Sequence, residues 1–338
     1  MPTQFDAIVI GTGQAGPSLA ARLANAGRKV AIVERKLFGG TCVNTGCIPT
    51  KTMVASAYAA HMARRAADFG VGIEGAVSVD MKRVKARKDE ISGKSRTGVE
   101  GWLKNLPNCT VYEGHARFES PTAIAVGDSR LTAPRIFINV GGRAVIPDMP
   151  GVDQVPFLTN SSMMQVDFLP RHLVIVGGSY IGLEFGQMFR RFGSEVTIIQ
   201  RGARLMMTED EDVSDEVAAI FRDDGITILT SSTPVRVEPA GSGRLRLTVR
   251  TDDGERQLDG SHLLSAIGRI PNTEALAPEA TGISLNDRGF IEVNEYLQTS
   301  PWHLCDGGRQ GWTGVHPPLL RRLPHPGRQP HQATEGQH

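Results

Sequence analysis

The order apolar strand, glycine turn, helix, strand occurs twice in this chain with the same internal spacing, and it restricts the fold more than any other feature. The first copy runs from the apolar stretch Phe5 to Ile10 into Gly11-Thr12-Gly13-Gln14-Ala15-Gly16, then a helical pattern with Leu19, Ala20 and Leu23 on one face. The second runs from Leu173 to Val176 into Gly177-Gly178-Ser179-Tyr180-Ile181-Gly182 and a helix through about Phe192. Each continues to a further strand, and the residue that closes it, Glu34 or Gln200, lies 23 positions after the first glycine of its turn. The predicted class is therefore α/β, with two doubly wound, Rossmann-like domains. Gly11 allows the tight turn, Gly13 lets the backbone approach a pyrophosphate, Gly16 lets helix and strand pack, and the helix start attracts phosphate. Gly177 and Gly182 repeat two of these roles, while Ser179 replaces the middle glycine and leaves less room. Glu34 ends the strand Lys29 to Val33 where it can bind a ribose diol.

Residues 39 to 51 read Gly-Gly-Thr-Cys-Val-Asn-Thr-Gly-Cys-Ile-Pro-Thr-Lys, with Cys42 and Cys47 five positions apart. On an ideal helix two such Cα atoms lie roughly 8.6 Å apart, too far for a disulfide. The spacing predicts a bend at Asn44 to Gly46 that lets the two sulfurs close, with Cys47 just ahead of a helix that Pro49 is suited to begin. A helix start lowers a thiol pKa, which makes a working redox pair. Two blander readings, inert buried cysteines or half a metal site, lack support, because no second Cys/His pair with ligand spacing follows.

This segment resembles the redox-active element of the class I pyridine nucleotide-disulfide oxidoreductases, and the resemblance covers residues 5 to 300 almost without interruption. It implies that Cys47 faces a flavin and that Cys42 exchanges with substrate. It makes FAD the ligand of the first glycine turn, with Gly11, Gly13, Gly16, Glu34, Gly40, Thr41, Gly141 and Gly142 around it. Lys51, four residues past Cys47 on the same helix face, would sit beside the flavin and pair with a glutamate matching Glu184. Ile136 to Val140 reads as a strand ending under the flavin, with Pro147, Pro150 and Gly151 in the crossover that follows. Leu263 to Ile267 with Gly268-Arg269-Ile270-Pro271-Asn272 reads as the return crossing. These crossings predict an FAD-binding domain of residues 1–155 and 272–300 and an NAD(P)H-binding domain of residues 156–271. Gly177, Ser179, Gly182, Gln200, Arg201 and Gly268 belong to the second site. Gln200 carries no charge to repel a 2′-phosphate, and Arg201 and Arg204 supply cations, so NADPH is expected and NADH is the second choice. The alternative, that these arginines are surface charge without a ligand, stays open.

Composition adds few constraints. A chain of 338 residues accommodates two domains or so with sizeable cores, and a net charge of +1 gives no reason to expect nucleic acid. No apolar run reaches membrane-spanning length, and the first strand starts almost at Met1 without a signal peptide, so a cytoplasmic location is expected. The basic run Lys82 to Lys88 reads as a solvated helix face. Cys109 and Cys305 have no visible partner, and no metal site is expected.

After Ser300 the chain departs from the pattern. Tyr296-Leu297-Gln298-Thr299-Ser300 matches the family's approach to its second flavin contact, but Pro301-Trp302-His303-Leu304-Cys305-Asp306 and a tail rich in Pro, Gly, Arg and His follow. Trp302 must be TGG and His303 CAY, so reading one base later gives the expected glycine. Val315 to Arg322 can be read one base later as Phe-Thr-His-Pro-Ser-Tyr-Asp-Asp, which resembles mercuric-reductase-like members. A frameshift between Ser300 and Pro301 is the expectation, with residues 301–338 an out-of-frame tail without order. The resemblance then implies that the dimerisation domain, with the partner's His-Glu acid/base pair, is missing. The chain would be monomeric, although the family is homodimeric. Two functions follow from this reading. One is an enzyme passing electrons from NADPH through FAD and the cysteine pair to a small-molecule disulfide or soft metal ion. The other is a catalytically deficient nucleotide-binding remnant with at most oxidase or dye-reductase activity.

Overall fold

The computed structural model describes residues 1–299 and 304–305. In chain order, the elements that frame the site begin with strand β1 (Ala7–Ile10), helix α1 (Gly16–Asn25), β2 (Val30–Glu34), α2 (Gly40–Asn44), α3 (Cys47–Arg64) and α4 (Met81–Lys104). They continue with β3 (Cys109–Glu113), β4 (Ile136–Ile138), β5 (Phe157–Thr159), α5 (Asn160–Met163), β6 (His172–Val176) and α6 (Tyr180–Phe192). The last are β7 (Glu195–Ile199), α7 (Glu211–Asp223), β8 (Thr227–Leu229), β9 (His262–Ser265) and β10 (Leu304–Cys305).

Contacts divide the chain into two compact units. The first comprises Met1–Gly40, Thr97–Gly141 and the described residues from Pro271 on; the second comprises Thr41–Arg96 and Gly142–Ile270. The first contains a five-stranded parallel sheet in the order β10-β4-β1-β2-β3, and the second one in the order β5-β9-β6-β7-β8. In both, the strand that enters the glycine turn has the strand after the helix on one side and a late strand, β4 or β9, on the other. The α/β class with two Rossmann-like units holds.

Alternation along the strands explains the layering, because successive side chains of a strand point to opposite faces. Ile8, Ile10, Ala31, Val33, Ile136 and Ile138 pack with Phe118, Ile124 and Leu131 of an antiparallel sheet, while Ala7, Val9, Val30, Ile32 and Phe137 pack with Leu19, Ala20 and Ala24 of α1. The second unit repeats the scheme. Leu173, Ile175, Val196, Ile198 and Leu264 face Met53 of α3, Phe185, Phe189 and Phe192 of α6 and Phe221 of α7. Val174, Val176, Ile199 and Leu263 face Val237, Leu245, Leu247 and Val249 of an antiparallel meander. The inner parallel strands β1, β2, β4, β6 and β7 are thus buried on both faces, which is why they read as continuous apolar runs.

Several sequence expectations need correcting. By contacts, residues 41–96 and 142–155 group with the second unit, where α3 packs on α6 and Met53, Ala57 and Met81 join its core; this grouping by contacts is separate from the expected division by bound nucleotide. Helix α3 begins at Cys47 itself, so Pro49 is third in the helix, where a missing N–H costs nothing because the first turn's amides have no helical acceptor. Lys88 is not solvated: it is 2% exposed, ion-paired with Asp89, and donates from Nζ to the Met164 carbonyl at 2.7 Å. The frameshift and the tail's lack of order lie outside the described residues except at Leu304–Cys305. That pair departs from the expectation, since its backbone pairs in parallel with Phe137 and Ile138 of β4, a strand whose outer edge needs a partner.

The turns themselves are steric necessities. Gly11 has φ +104° and a Cβ there would lie 2.2 Å from the Asn139 carbonyl oxygen; Gly177 has φ +112° and would meet the Ala266 oxygen at 2.4 Å. Gly11→Ala or Gly177→Ala should each destabilise the protein by about 2 kcal/mol or more, from backbone strain and overpacking together. Gly72→Ala, where a Cβ meets nothing within 4 Å, should change stability by less than about 0.5 kcal/mol. Urea denaturation of the three variants checks the contrast.

Candidate active site

In the first unit the glycine turn is tied to the end of the next strand. Glu34 Oε2 accepts from the Thr12 amide at 3.1 Å and the Thr12 hydroxyl at 2.5 Å, and Oε1 accepts from the Lys36 amide at 2.9 Å. The Thr12 hydroxyl oxygen also accepts from the Gly39 amide at 3.2 Å. Gly40 has φ +60°, and a Cβ on it would sit 2.8 Å from the Gly13 Cα. Asn139 donates from Nδ2 to the Gly11 carbonyl at 3.3 Å, and the same nitrogen would be 2.8 Å from a Cβ on Gly16. Gly141, two residues on, has φ +62°. Thr12 and Asn139 escaped the sequence reading; the signal was a polar residue at each margin of the glycine turn.

The second unit builds the same arrangement with different chemistry. Gln200 Oε1 accepts from the Gly178 amide at 3.0 Å, as Glu34 accepts from Thr12. Ser179 is the extended N-cap of α6 and makes no side-chain cap bond. Gly182 packs so closely that a Cβ would be 2.0 Å from the Gly177 oxygen. Arg201 is exposed and makes no ion pair among the described residues, whereas Arg204 lies 3.5 Å from Glu211. Gly268 has φ +133°. Its neighbour Arg269 donates to the Gly142 carbonyl and, at 3.4 Å, to the Thr41 hydroxyl.

The cysteines flank the break between α2 and α3. Both are free thiols joined by a side-chain hydrogen bond, with Cys42 half-buried and Cys47 exposed. Burial pushes the Cys42 thiol up to about 12, and the bond to Cys47 and its charge add to this. The opposing effect comes from the backbone amides of Cys47 and Ile48, which point at the Cys42 sulfur. The helix start therefore acts on Cys42 as well, where burial outweighs it. No histidine or carboxylate is among the groups that act on this thiol. Cys109 is likewise pushed up, to about 11, by burial.

Lys51 and Glu184 meet as an ion pair between α3 and α6, with Lys51 largely exposed. Among the described residues no group of His, Cys, Asp and Glu could hold a metal ion, and no helix is long and apolar enough to cross a membrane.

Comparison with known proteins places this geometry. The family described as pyridine nucleotide-disulphide oxidoreductase matches residues 5–303. The chain is 36% identical over 319 residues to the probable pyridine nucleotide-disulfide oxidoreductase RclA of Escherichia coli K12, covering 91% of this chain and 67% of that protein. It is 36% identical over 303 residues to a mercuric reductase of Streptomyces lividans, covering 88% and 63%. A solved structure, the Cu(II) complex of the HOCl-induced flavoprotein disulfide reductase RclA from Escherichia coli, superposes with a TM-score of 0.78 at 34% identity, covering 89% of this chain and 65% of that one. The chain thus spans about two thirds of the length of these relatives, and 48% of the Bacillus cereus mercuric reductase.

The raised Cys42 pKa has a measurable sign. The thiol keeps its proton in the fold up to about pH 12, while an unfolded cysteine loses it near 9, so this contribution to stability is present below pH 9 and is lost as pH rises toward 12. In the reduced protein at pH 7.5 to 8.5, iodoacetamide should label Cys47 well before Cys42. Cys42 labelling should then rise about tenfold per pH unit above that range, because only the thiolate reacts. Peptide mapping by mass spectrometry reads both, and faster labelling of Cys42 at pH 8 would contradict the assignment.

Proposed function

The chain belongs to the pyridine nucleotide-disulphide oxidoreductase family, whose members are enzymes, and on that basis we propose that it carries electrons from NADPH through FAD to the Cys42–Cys47 pair and on to a small-molecule disulfide or a soft metal ion. The observation that carries this reading is the hydrogen-bonded thiol pair at the break between α2 and α3, in a chain with two glycine turns that a Cβ would obstruct. We assign FAD to the turn at Gly11, Gly13 and Gly16 with Glu34, Gly40, Thr41, Gly141 and Gly142, and NADPH to the turn at Gly177, Ser179 and Gly182 with Gln200, Arg201 and Gly268. The first turn fits FAD: it has close backbone approach, free amides at the start of α1 and a carboxylate at the end of β2. When bound, FAD supplies a two-electron step between a hydride donor and a disulfide.

The chain's own residues account for the rest. The Cys42–Cys47 disulfide takes up two electrons and two protons to become a dithiol. Cys42, the interchange thiol, then attacks a substrate disulfide sulfur, and Cys47 resolves the mixed disulfide so that the substrate leaves as two thiols. A thiol with a pKa of about 12 is a thiolate in roughly one molecule in a hundred thousand at pH 7, so Cys42 needs a general base before it attacks. Lys51, paired with Glu184, stands one helical turn beyond Cys47. Thiolates are soft ligands, which is why the same pair suits a soft metal ion as the alternative substrate. The names of the relatives, mercuric reductase and a disulfide reductase solved with Cu(II), agree with both. We place the protein in the cytoplasm, where a dithiol of this kind is kept in use.

The experiment is a thiol count. Oxidised, FAD-loaded protein incubated with NADPH should gain two alkylatable thiols, both in the peptide containing Cys42 and Cys47, and Cys42→Ser or Cys47→Ser should abolish the paired gain. No gain in the wild type would refute the reading.

Cofactor choice is separable. An arginine contact to phosphate contributes about 1.5 to 3 kcal/mol, so NADPH should bind roughly tenfold to a hundredfold more tightly than NADH, and Arg201→Glu should reverse the order. Titration of the two nucleotides by calorimetry decides, with equal affinities counting against NADPH.

A further inference from the structure

Asn160 is the first residue of α5 and only 6% exposed, and its Nδ2 donates to the carbonyl oxygen of Thr45 at 3.2 Å. Thr45 is the first of the two residues that join the helix carrying Cys42 to the helix carrying Cys47. Two further bonds at this bend are local: the Thr45 amide donates to the Thr41 carbonyl at 2.9 Å and the Thr50 amide to the Gly46 carbonyl at 2.9 Å. Asn160 reaches the bend from a segment 115 residues away in sequence.

The donor is itself firmly mounted. Thr159 caps α5 in a capping box with Ser162, and β5, which ends at Thr159, pairs along its length with β9. At the far end of α5 the buried Lys88 ammonium donates to the Met164 carbonyl at 2.7 Å. With both ends of α5 held, Asn160 cannot follow Thr45 if the bend shifts. On the other side of the bend a Cβ on Gly46 would lie 3.0 Å from the Thr41 oxygen, so the loop is confined from within as well. A buried amide placed on a loop carbonyl between two reactive thiols has a consequence beyond packing: it fixes the separation of the sulfurs.

We propose that Asn160 is a positioning residue for the redox pair, holding the Thr45 carbonyl so that Cys42 and Cys47 stay in ring-closing geometry and their disulfide is favoured over the dithiol. This rests on the reading of Cys42 and Cys47 as the redox pair. The physical basis is effective concentration: a loop free to open lowers the chance that one sulfur meets the other, and the closed form loses stability by that factor. In exchange with glutathione, the two protein thiols give up two electrons and two protons, one S–S bond forms in the protein, and one glutathione disulfide is cleaved to two glutathione thiols.

The test equilibrates wild type, Asn160→Asp and Asn160→Ala in graded glutathione redox buffers, traps free thiols with a maleimide mass tag and reads the disulfide fraction. Asp keeps the shape but replaces the N–H donor by an oxygen that repels the Thr45 carbonyl. Its constant for disulfide formation should fall about tenfold, equivalent to a potential about 30 mV higher, and that of Ala by about threefold to tenfold. A role in folding alone would lower Tm and leave the constant unchanged, so a folded variant within twofold of wild type, or one shifted toward the disulfide, overturns the proposal. If Asp and Ala do not fold, Asn160→Leu, which removes the donor and keeps a similar volume, is measured instead, and an unchanged constant there overturns it equally. A wild type that forms no Cys42–Cys47 disulfide in any buffer refutes the redox-pair reading and the clamp with it.

Discussion

In each unit a carbonyl oxygen at the end of one strand runs up against the first glycine of a neighbouring turn. The Asn139 oxygen does this at Gly11 and the Ala266 oxygen at Gly177, at distances a side chain could not tolerate. The approach is possible because both glycines take a positive φ, open to them at little steric cost. It lets a buried parallel strand turn at once into a helix whose first amides face outward, and the alternating cores on the two sheet faces follow from strands set in this register. The same close approach leaves backbone N–H groups, with no Cβ to cover them, where a phosphate would sit.

At the cysteine pair two effects oppose one another and their relative size decides the chemistry. The start of α3 directs the amides of Cys47 and Ile48 at the Cys42 sulfur, which favours a thiolate, but burial disfavours it more and the charge of Cys47 adds to the penalty. The outcome is a pair in which Cys42 keeps its proton and Cys47 is the exposed member.

The two nucleotide sites differ by one atom at the same place. Glu34 and Gln200 each accept from an amide next to the first glycine of their turn. The carboxylate has only acceptors to offer a ribose diol. Once Gln200 has committed its oxygen to Gly178, it has an N–H donor to offer, and no charge that would repel a phosphate. Geometry is therefore shared, and the two turns differ in charge at this place.

Much of this was legible along the chain because the determinants are local. Positive φ at Gly11 and Gly177, apolar runs in the parallel strands and the 23-residue register all arise from near neighbours, and so does the bend that five-residue spacing imposes between Cys42 and Cys47. That α3 joins the second core through Met53 and Ala57 was not legible, because those contacts are made with residues more than a hundred positions away. Lys88 was misread for the same reason, since only the fold brings the Met164 carbonyl to it. The thiol pKa of Cys42 depends on how much of it the fold buries, and the Asn160 contact on a segment 115 residues distant. The sequence by itself determined the two glycine turns, their strands and the bend between the cysteines, because backbone sterics and spacing act within a few residues. Which thiol stays protonated and what holds the bend were decided only by tertiary structure, because desolvation and long-range hydrogen bonds exist only once distant segments are packed together.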